Sequence, residues 1–326
     1  MDKIKIAFLG PGWMSSKMAR TIMHMPEVEM YAVGSRNHGR ASAFAKEFGF
    51  KKAYGSYEET VRDSEVDFVY VATPHSRHYE DTMLCLEYGK PALVEKAFTA
   101  NAAQAKHILE HAAAINILVA EAIWTRYMPL RKTLNELLAG GAIGNPVLLT
   151  ANLGYPISQT DRIINPALAG GALLDLGVYP INFASMVFGD NPLSVSAEVA
   201  MFDTGVDATN NITIKYDEKK VAVLFTTALA HTERAAMIYG DKGRIYVENL
   251  TNPRRLRVLD PAGSETACYE APKQISGYEY QVTSVIKAIR DGCIECPEMP
   301  HAEIIRIMEM MDGIRASWGM KFPFEE

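Results

Sequence analysis

Cysteine is scarce in this chain, with 4 in 326 residues, too few to build a disulfide framework in a protein of this length. Cys293 and Cys296 form a lone C-x-x-C, but no neighbouring histidine completes a set at zinc-site spacing, so the pair reads as a reduced loop and no metal is expected. No uninterrupted apolar run approaches the roughly 20 residues that span a bilayer. The start, Met1-Asp2-Lys3-Ile4-Lys5, enters a strand without the apolar core of a secretory signal. A cytoplasmic protein with no membrane partner is therefore expected. An excess of positive charge is also missing: Lys and Arg number 33 against 39 Asp and Glu, a net charge of −6, which argues against a nucleic-acid partner. Internal repeats and low-complexity linkers are absent as well.

What remains is ordinary globular material, with 48% hydrophobic and 22% charged residues, long enough for two domains that each bury a core. Up to about residue 121, short apolar runs alternate with helical patterns. The strand candidates are Ile4 to Leu9, Glu29 to Val33, Phe68 to Ala72, Ala92 to Glu95 and Ile117 to Ala120. Their near-continuous apolar character predicts parallel strands covered on both faces. Helical patterns fall near Ser16 to Met25, Gly39 to Phe48, Tyr57 to Arg62, Tyr79 to Tyr88 and Ala102 to Ala113, so a doubly wound α/β sheet is expected over 1–121. From about Pro146 the pattern changes to successive strands, beginning with Val147 to Tyr155 and running from Ser194 to Leu259. Hairpin-turn composition at Asp217-Glu218-Lys219-Lys220 and Gly240-Asp241-Lys242-Gly243 makes 122–326 an α+β domain with a large, mainly antiparallel open sheet. Two late helices, near Tyr278 to Arg290 and His301 to Trp318, follow. A sheet of that size has helices enough for one face only, and an uncovered apolar face predicts a homodimer.

The residues with chemical potential sit at the ends of these elements. Gly10-Pro11-Gly12-Trp13-Met14-Ser15 lies between the first strand and the first helix, where a dinucleotide pyrophosphate would rest on a helix N-terminus. The third small position of the fingerprint is serine here. After the second strand, Gly34-Ser35-Arg36-Asn37 lacks the acid that would hold a ribose 2′-hydroxyl and offers Arg36 instead, which favours NADP over NAD because a guanidinium pairs with the 2′-phosphate. Thr73-Pro74-His75-Ser76-Arg77-His78 follows a buried strand at the sheet's carboxyl edge, where ligands of open α/β sheets bind, and reads as a cofactor-lining loop. Glu95-Lys96 ends another buried strand. Gly170-Gly171-Ala172-Leu173-Leu174-Asp175-Leu176-Gly177-Val178-Tyr179 opens an apolar turn that carries an acid and a phenol. A lysine, an acid and a phenol beside a dinucleotide fold are the groups a hydride-transferring enzyme uses to move the accompanying proton.

Taken in order, Gly10-Pro11-Gly12, Ala72-Thr73-Pro74 with His78, Glu95-Lys96, Gly170-Gly171 through Asp175 to Tyr179, and the closing helices resemble the Gfo/Idh/MocA-type oxidoreductases, the family of glucose-fructose oxidoreductase and inositol dehydrogenase. Glu121-Ala122-Ile123-Trp124-Thr125-Arg126-Tyr127-Met128-Pro129 and Trp318-Gly319-Met320-Lys321-Phe322-Pro323 look most similar to its dihydrodiol and D-xylose dehydrogenase branch. The resemblance implies a Rossmann domain, a C-terminal domain that dimerises through its sheet, and a hydride exchanged between NADP, or alternatively NAD, and a sugar, cyclic polyol or trans-dihydrodiol. It assigns Lys96 to nicotinamide ribose and substrate hydroxyl, Asp175 to substrate positioning and Tyr179 to proton transfer. Trp124 and Arg126 are expected near the nicotinamide, with Glu95 beside Lys96. A free phenol titrates near pH 10, so a cation such as Lys96 would be needed to favour the phenolate. The chain departs from the family at Ala97, where a proline is usual; a cis bond there would be of the costly non-proline kind, roughly 2.5 to 4 kcal/mol. That departure keeps a second reading open, a cofactor-binding regulatory protein whose active site has decayed.

Overall fold

The computed structural model describes residues 3–189, 191–217 and 219–325 of the chain. Six strands form the first sheet: β1 Ile4–Leu9, β2 Val28–Gly34, β3 Lys52–Tyr54, β4 Phe68–Val71, β5 Ala92–Glu95 and β6 Val119–Ala122. All their pairings are parallel, in the order β3-β2-β1-β4-β5-β6. The interior strands β1, β4 and β5 are apolar because the connecting helices leave neither face to water; Ile6, Phe8, Val69, Val71 and Leu93 are fully buried. The helices are α1 Trp13–Ile22, α2 His38–Phe48, α3 Tyr57–Arg62, α4 His78–Glu87 and α5 Ala102–Ala114. Their starts are marked where the sequence supplies short polar side chains: Asn37, Ser56 and Asn101 each accept a backbone N–H at an N-terminus. The chain order reverses between β1 and β4, so the carboxyl ends of these strands form the crevice in which open α/β sheets bind ligands.

The second sheet has eight strands: β7 Pro146–Gly154, β8 Ser194–Met201, β9 Asp207–Lys215, β10 Val221–Thr227, β11 Ala236–Gly240, β12 Gly243–Glu248, β13 Arg255–Leu259 and β14 Glu265–Glu270. The order is β14-β13-β12-β11-β7-β10-β9-β8, and every pairing is antiparallel except β7 with β10. One face carries Leu149, Ala151, Leu153, Ile212, Ile214, Leu224 and Ile238, all buried. The alternate residues Leu148, Val223, Met237, Tyr239 and Tyr246 are half-buried, and Phe225 is exposed. The remaining helices are α6 Pro129–Ala139, α7 Asp161–Ile164, α8 Val178–Phe188, α9 Glu279–Asp291 and α10 His301–Ser317. A window within Pro166–Phe188 is apolar and long enough to cross a membrane by composition, contrary to the reading of the bare sequence. It is 78% buried, as a core helix is.

Two strands escape the hydrophobic pattern. β3 is three residues and half exposed, and β14 is polar, with both flanking glutamates in water. The turn expected at 217–220 does join β9 to β10, with the Lys219 N–H donating to Asp217 Oδ1 at 2.7 Å, although Glu218 itself lies outside the described residues. The division expected from the sequence was at 121/122. The chain forms two compact units, one of Met1–Ile123 with Gln274–Ile305, the other of Trp124–Lys273 with Arg306–Glu326. The returning segment joins the first unit because it completes the edge of that sheet. Val119 N–H donates to the Ile294 carbonyl at 3.1 Å, His301 Nε2 lies 2.9 Å from the Val119 carbonyl, and the Thr21 and Ser276 hydroxyls meet at 2.8 Å.

Candidate active site

In the first unit the expected cofactor residues gather at the carboxyl ends of the parallel strands. Gly10 closes β1 at φ +89°, a conformation glycine adopts without penalty. A Cβ there would press to 3.1 Å on both the Ala72 carbonyl and Thr73 Cγ2, so the loops after β1 and β4 touch through this residue. Gly12 is the N-cap of α1; no side chain caps that helix, its first turn carries no acid, and a Cβ on Gly12 would meet nothing within 4 Å. An uncapped helix N-terminus facing open space fits a pyrophosphate. Ser15 explains the missing third glycine: it is fully buried, and its hydroxyl donates to the Gly10 carbonyl at 2.5 Å, pinning the loop from inside. Met14 is half-buried, whereas Trp13 is 65% exposed with Lys17 Nζ 5.3 Å from its ring. At the end of β2, Ser35 is buried and accepts the Asn37 N–H at 3.2 Å; Arg36 is exposed.

The loop after β4 meets the end of β5. Glu95 is buried, receives the Tyr70 hydroxyl in a short hydrogen bond and accepts the Lys96 N–H at 3.2 Å. His75 Nε2 lies 3.2 Å from the Lys96 carbonyl. His78 is buried between two carbonyls, that of Ala97 at 2.9 Å from Nδ1 and that of Thr73 at 2.8 Å from Nε2. Burial pushes its pKa below the ordinary imidazole value, against the opposing pull of those carbonyls. His78 therefore ties Thr73 to the Lys96–Ala97 segment. The Lys96–Ala97 peptide is cis.

In the second unit, Asp175 and Tyr179 lie four residues apart on one continuous helical stretch. Its first turns, Leu173–Gly177, have the wider π geometry, and α8 continues from them. Such bulges inside helices are frequent at functional sites. Asp175 is buried and pairs with Arg162 of α7, Nη1 to Oδ1 2.5 Å, while the Arg162 side chain stays 44% exposed. Tyr179 is partly buried against the cluster of Leu153, Ile163, Ala172, Leu176 and Ala228. Arg126, expected beside the nicotinamide, is 1% exposed, with Nε donating to Asn182 at 2.9 Å and Nη2 to Ser185 at 3.2 Å. It supports α8 from below. Trp124 is likewise buried.

Several of these groups were invisible in the sequence. Arg162, Asn182, Ser185 and Asp207 belong to no motif, and only their partners give them meaning. Asp207, at the start of β9, is fully buried and accepts the Leu173 N–H at 2.6 Å and an Asn210 Nδ2 hydrogen at 2.9 Å. Gly171, at φ +114°, is a glycine of necessity, since a Cβ there would collide with Asp207 Oδ1.

Comparison with known proteins agrees with this geometry. Residues 4–122 match the family described as an oxidoreductase family with an NAD-binding Rossmann fold, and residues 132–246 match the GFO/IDH/MocA C-terminal domain. The chain belongs to this oxidoreductase family. It is 32% identical to a trans-1,2-dihydrobenzene-1,2-diol dehydrogenase of Xenopus laevis over 96% of this chain and 97% of that one. With the protein of the same name from Homo sapiens the identity is 31%, covering 96% of each. Among solved structures, the 3-ketoreductase KijD10 of Actinomadura kijaniata superposes with a TM-score of 0.87 at 22% identity, over 97% of this chain and 98% of that one. The aldose-aldose oxidoreductase of Caulobacter crescentus gives 0.86 at 20% identity over 97% of each. At those identities the two structures establish the shared fold.

Asp207 generates a test. Burial is the largest influence on its carboxyl and raises the pKa to about 6, against the hydrogen bonds from Asn210 and Leu173 and the charge of Arg315. A carboxyl with a raised folded-state pKa binds its proton more tightly in the native protein. It therefore contributes stability fully below about pH 4 and loses it as pH rises through about 6. Unfolding free energy measured for the wild type relative to Asp207→Asn should fall by up to about 3 kcal/mol between pH 4 and pH 7.5. A difference that stays constant across that range would mean that Asp207 does not titrate in this way.

Proposed function

We propose that the protein oxidises a secondary alcohol of a neutral sugar, cyclic polyol or trans-dihydrodiol, with NADP preferred over NAD. The observation that carries this reading is the placement of Asp175 and Tyr179 on one helical segment of a chain that is about one-third identical, along nearly its whole length, to trans-dihydrobenzenediol dehydrogenases. The nicotinamide ring, when bound, supplies the hydride acceptor; the residues supply the rest. Gly10, Gly12 and the uncapped start of α1 would hold the pyrophosphate. Ser35 and Arg36 would hold the adenosine ribose and its 2′-phosphate, and Thr73, Pro74, His75 and Glu95 would line or brace the cofactor side. Asp175, held by Arg162, orients the hydroxyl that loses its proton. Tyr179 accepts that proton, and Lys96 supplies the positive charge that favours the phenolate. The assignment of Lys96 and Tyr179 to one reaction is supported by the order of the motifs along the chain.

The uncovered face of the eight-stranded sheet, with Phe225 exposed and Val223, Met237, Tyr239 and Tyr246 half-buried on it, supports a homodimer formed through that face.

Three measurements test this reading. Arg36→Ala should weaken NADP about 10- to 100-fold while leaving NAD nearly unaffected, the range expected for loss of a charged hydrogen-bonded pair; equal losses with both cofactors would remove Arg36 from the 2′-phosphate. Tyr179→Phe should lower kcat about 10²- to 10⁴-fold with little change in cofactor affinity. Lys96→Met should do comparable damage, and the double variant should be little worse than either single one. Near-wild-type turnover by Tyr179→Phe would move the proton carrier elsewhere, with His75 the next candidate. In light scattering at micromolar concentration the protein should run at twice its chain mass, and Phe225→Arg should halve that; a wild-type monomer would contradict the dimer.

A further inference from the structure

The helical stretch that carries Asp175 and Tyr179 starts inside the protein, and its first turn is bonded from β9, whose polar groups are bonded in turn from β10. At the near end, the Asp207 carboxylate takes the Leu173 N–H at 2.6 Å. Asp207 Oδ2 also receives Asn210 Nδ2 at 2.9 Å, and Asn210 Oδ1 in turn accepts the Thr226 hydroxyl at 2.8 Å. At the far end, that same Thr226 hydroxyl stands 3.7 Å from where a Cβ on Gly177 would be. All three side chains are buried. A chain of three polar groups from β9 and β10 thus bonds the π turn at its first residue and runs alongside its last, with Asp175 between them.

We propose that Asp207, Asn210 and Thr226 act as a positioning relay that fixes the turn bearing Asp175 and aims α8, and with it Tyr179, for proton transfer; this inference rests on the proposed function. Three features go beyond ordinary helix capping. The capping acid comes from another strand, 34 residues away in sequence. Its second oxygen, Oδ1, has no hydrogen-bond partner among the described residues and faces Gly171, so it occupies the space that a side chain at that glycine would need. The extra residue of a π turn loosens the usual hydrogen-bond ladder, so its register has to be set from outside. A buried network in which one carboxylate oxygen serves two donors defines a single geometry, and a shift of about 1 Å at a reacting group can cost on the order of 10²-fold in rate. Asp207, Asn210 and Thr226 are positioning residues here, and none is assigned contact with substrate.

The test separates this inference from the reading beneath it by using two readouts. Amide hydrogen exchange of the protein without ligands should show residues 173–179 opening about 10-fold faster in Asp207→Ala than in wild type, with the first parallel sheet unchanged. Asp207→Asn, whose amide oxygen can still accept both donors, should restore the wild-type pattern. With NADP and trans-1,2-dihydrobenzene-1,2-diol, Asp207→Ala should lose about 10²-fold in kcat at nearly constant KM and unchanged NADP binding, whereas Asp207→Asn should stay within about 3-fold of wild type. If Asp207→Ala does not fold, Asn210→Ala, which removes one link and leaves the cap, should show the same local exchange and a loss of about 10-fold in kcat. Wild-type exchange over 173–179 in Asp207→Ala or Asn210→Ala overturns the relay whatever the substrate proves to be. Wild-type kcat in a variant with faster exchange overturns its link to catalysis. Failure of Tyr179→Phe to lower turnover while exchange behaves as described would overturn the reading of Tyr179 and leave the relay standing.

Discussion

A helix that begins in the protein interior leaves N–H groups with no partner, and leaving a buried donor unmet costs about 1 to 3 kcal/mol. In the second unit the residues 173–188 form such a helix, and the buried Asp207 carboxylate is what meets its start. Much of the local sequence follows from that arrangement. Gly171 has to be glycine because the carboxylate fills the space beside it, and Gly170 because a Cβ there would press on the Ile163 and Asn165 carbonyls. Leu173, Leu174 and Leu176 are buried around the turn. Asp175 is thereby held where Arg162 reaches it. The glycine pair, the acid and the tyrosine are one mechanical unit whose anchor lies on β9.

The first unit solves a related problem with backbone. Its sheet ends in loops that touch through glycine, and its side chains act mostly on carbonyls: Ser15 on Gly10, His75 on Lys96, His78 on Thr73 and Ala97. These contacts order the loops around an uncapped α1 without spending charge on its N-terminus. That leaves the helix dipole and open space for a negatively charged group. The buried His78 belongs to that scaffold, where it ties the loops after β4 and β5 together.

How much of this could be read from the sequence follows from what each feature depends on. Ile4–Leu9 and Ala92–Glu95 were legible to the residue because burial on both faces writes a continuous apolar run into the chain. β6 lies two residues later than the apolar run suggests, since the buried Glu121 interrupts the pattern without interrupting the strand. β3 and β14 pair at sheet edges, where half-exposed residues carry no hydrophobic signal. The glycine loops, Lys96, Asp175 and Tyr179 were legible because they lie in contiguous motifs. Arg162, Asp207, Asn210 and Thr226 were not, because their meaning resides in partners up to 34 residues away. Arg126 was legible as a motif residue, but its hydrogen bonds to Asn182 and Ser185 of α8, 56 and 59 residues on, were not.

The account stands or falls on whether the protein transfers hydride at all. The direct measurement is reduction of NADP, and in parallel of NAD, by the purified protein with a panel of trans-1,2-dihydrobenzene-1,2-diol, D-xylose, D-glucose and inositol, followed through the absorbance of the reduced nicotinamide. Turnover with at least one of the four is expected, with a higher kcat/KM with NADP than with NAD. Tight nucleotide binding with no turnover of any of them, in either direction, would contradict it and make the chain a cofactor-binding regulatory protein.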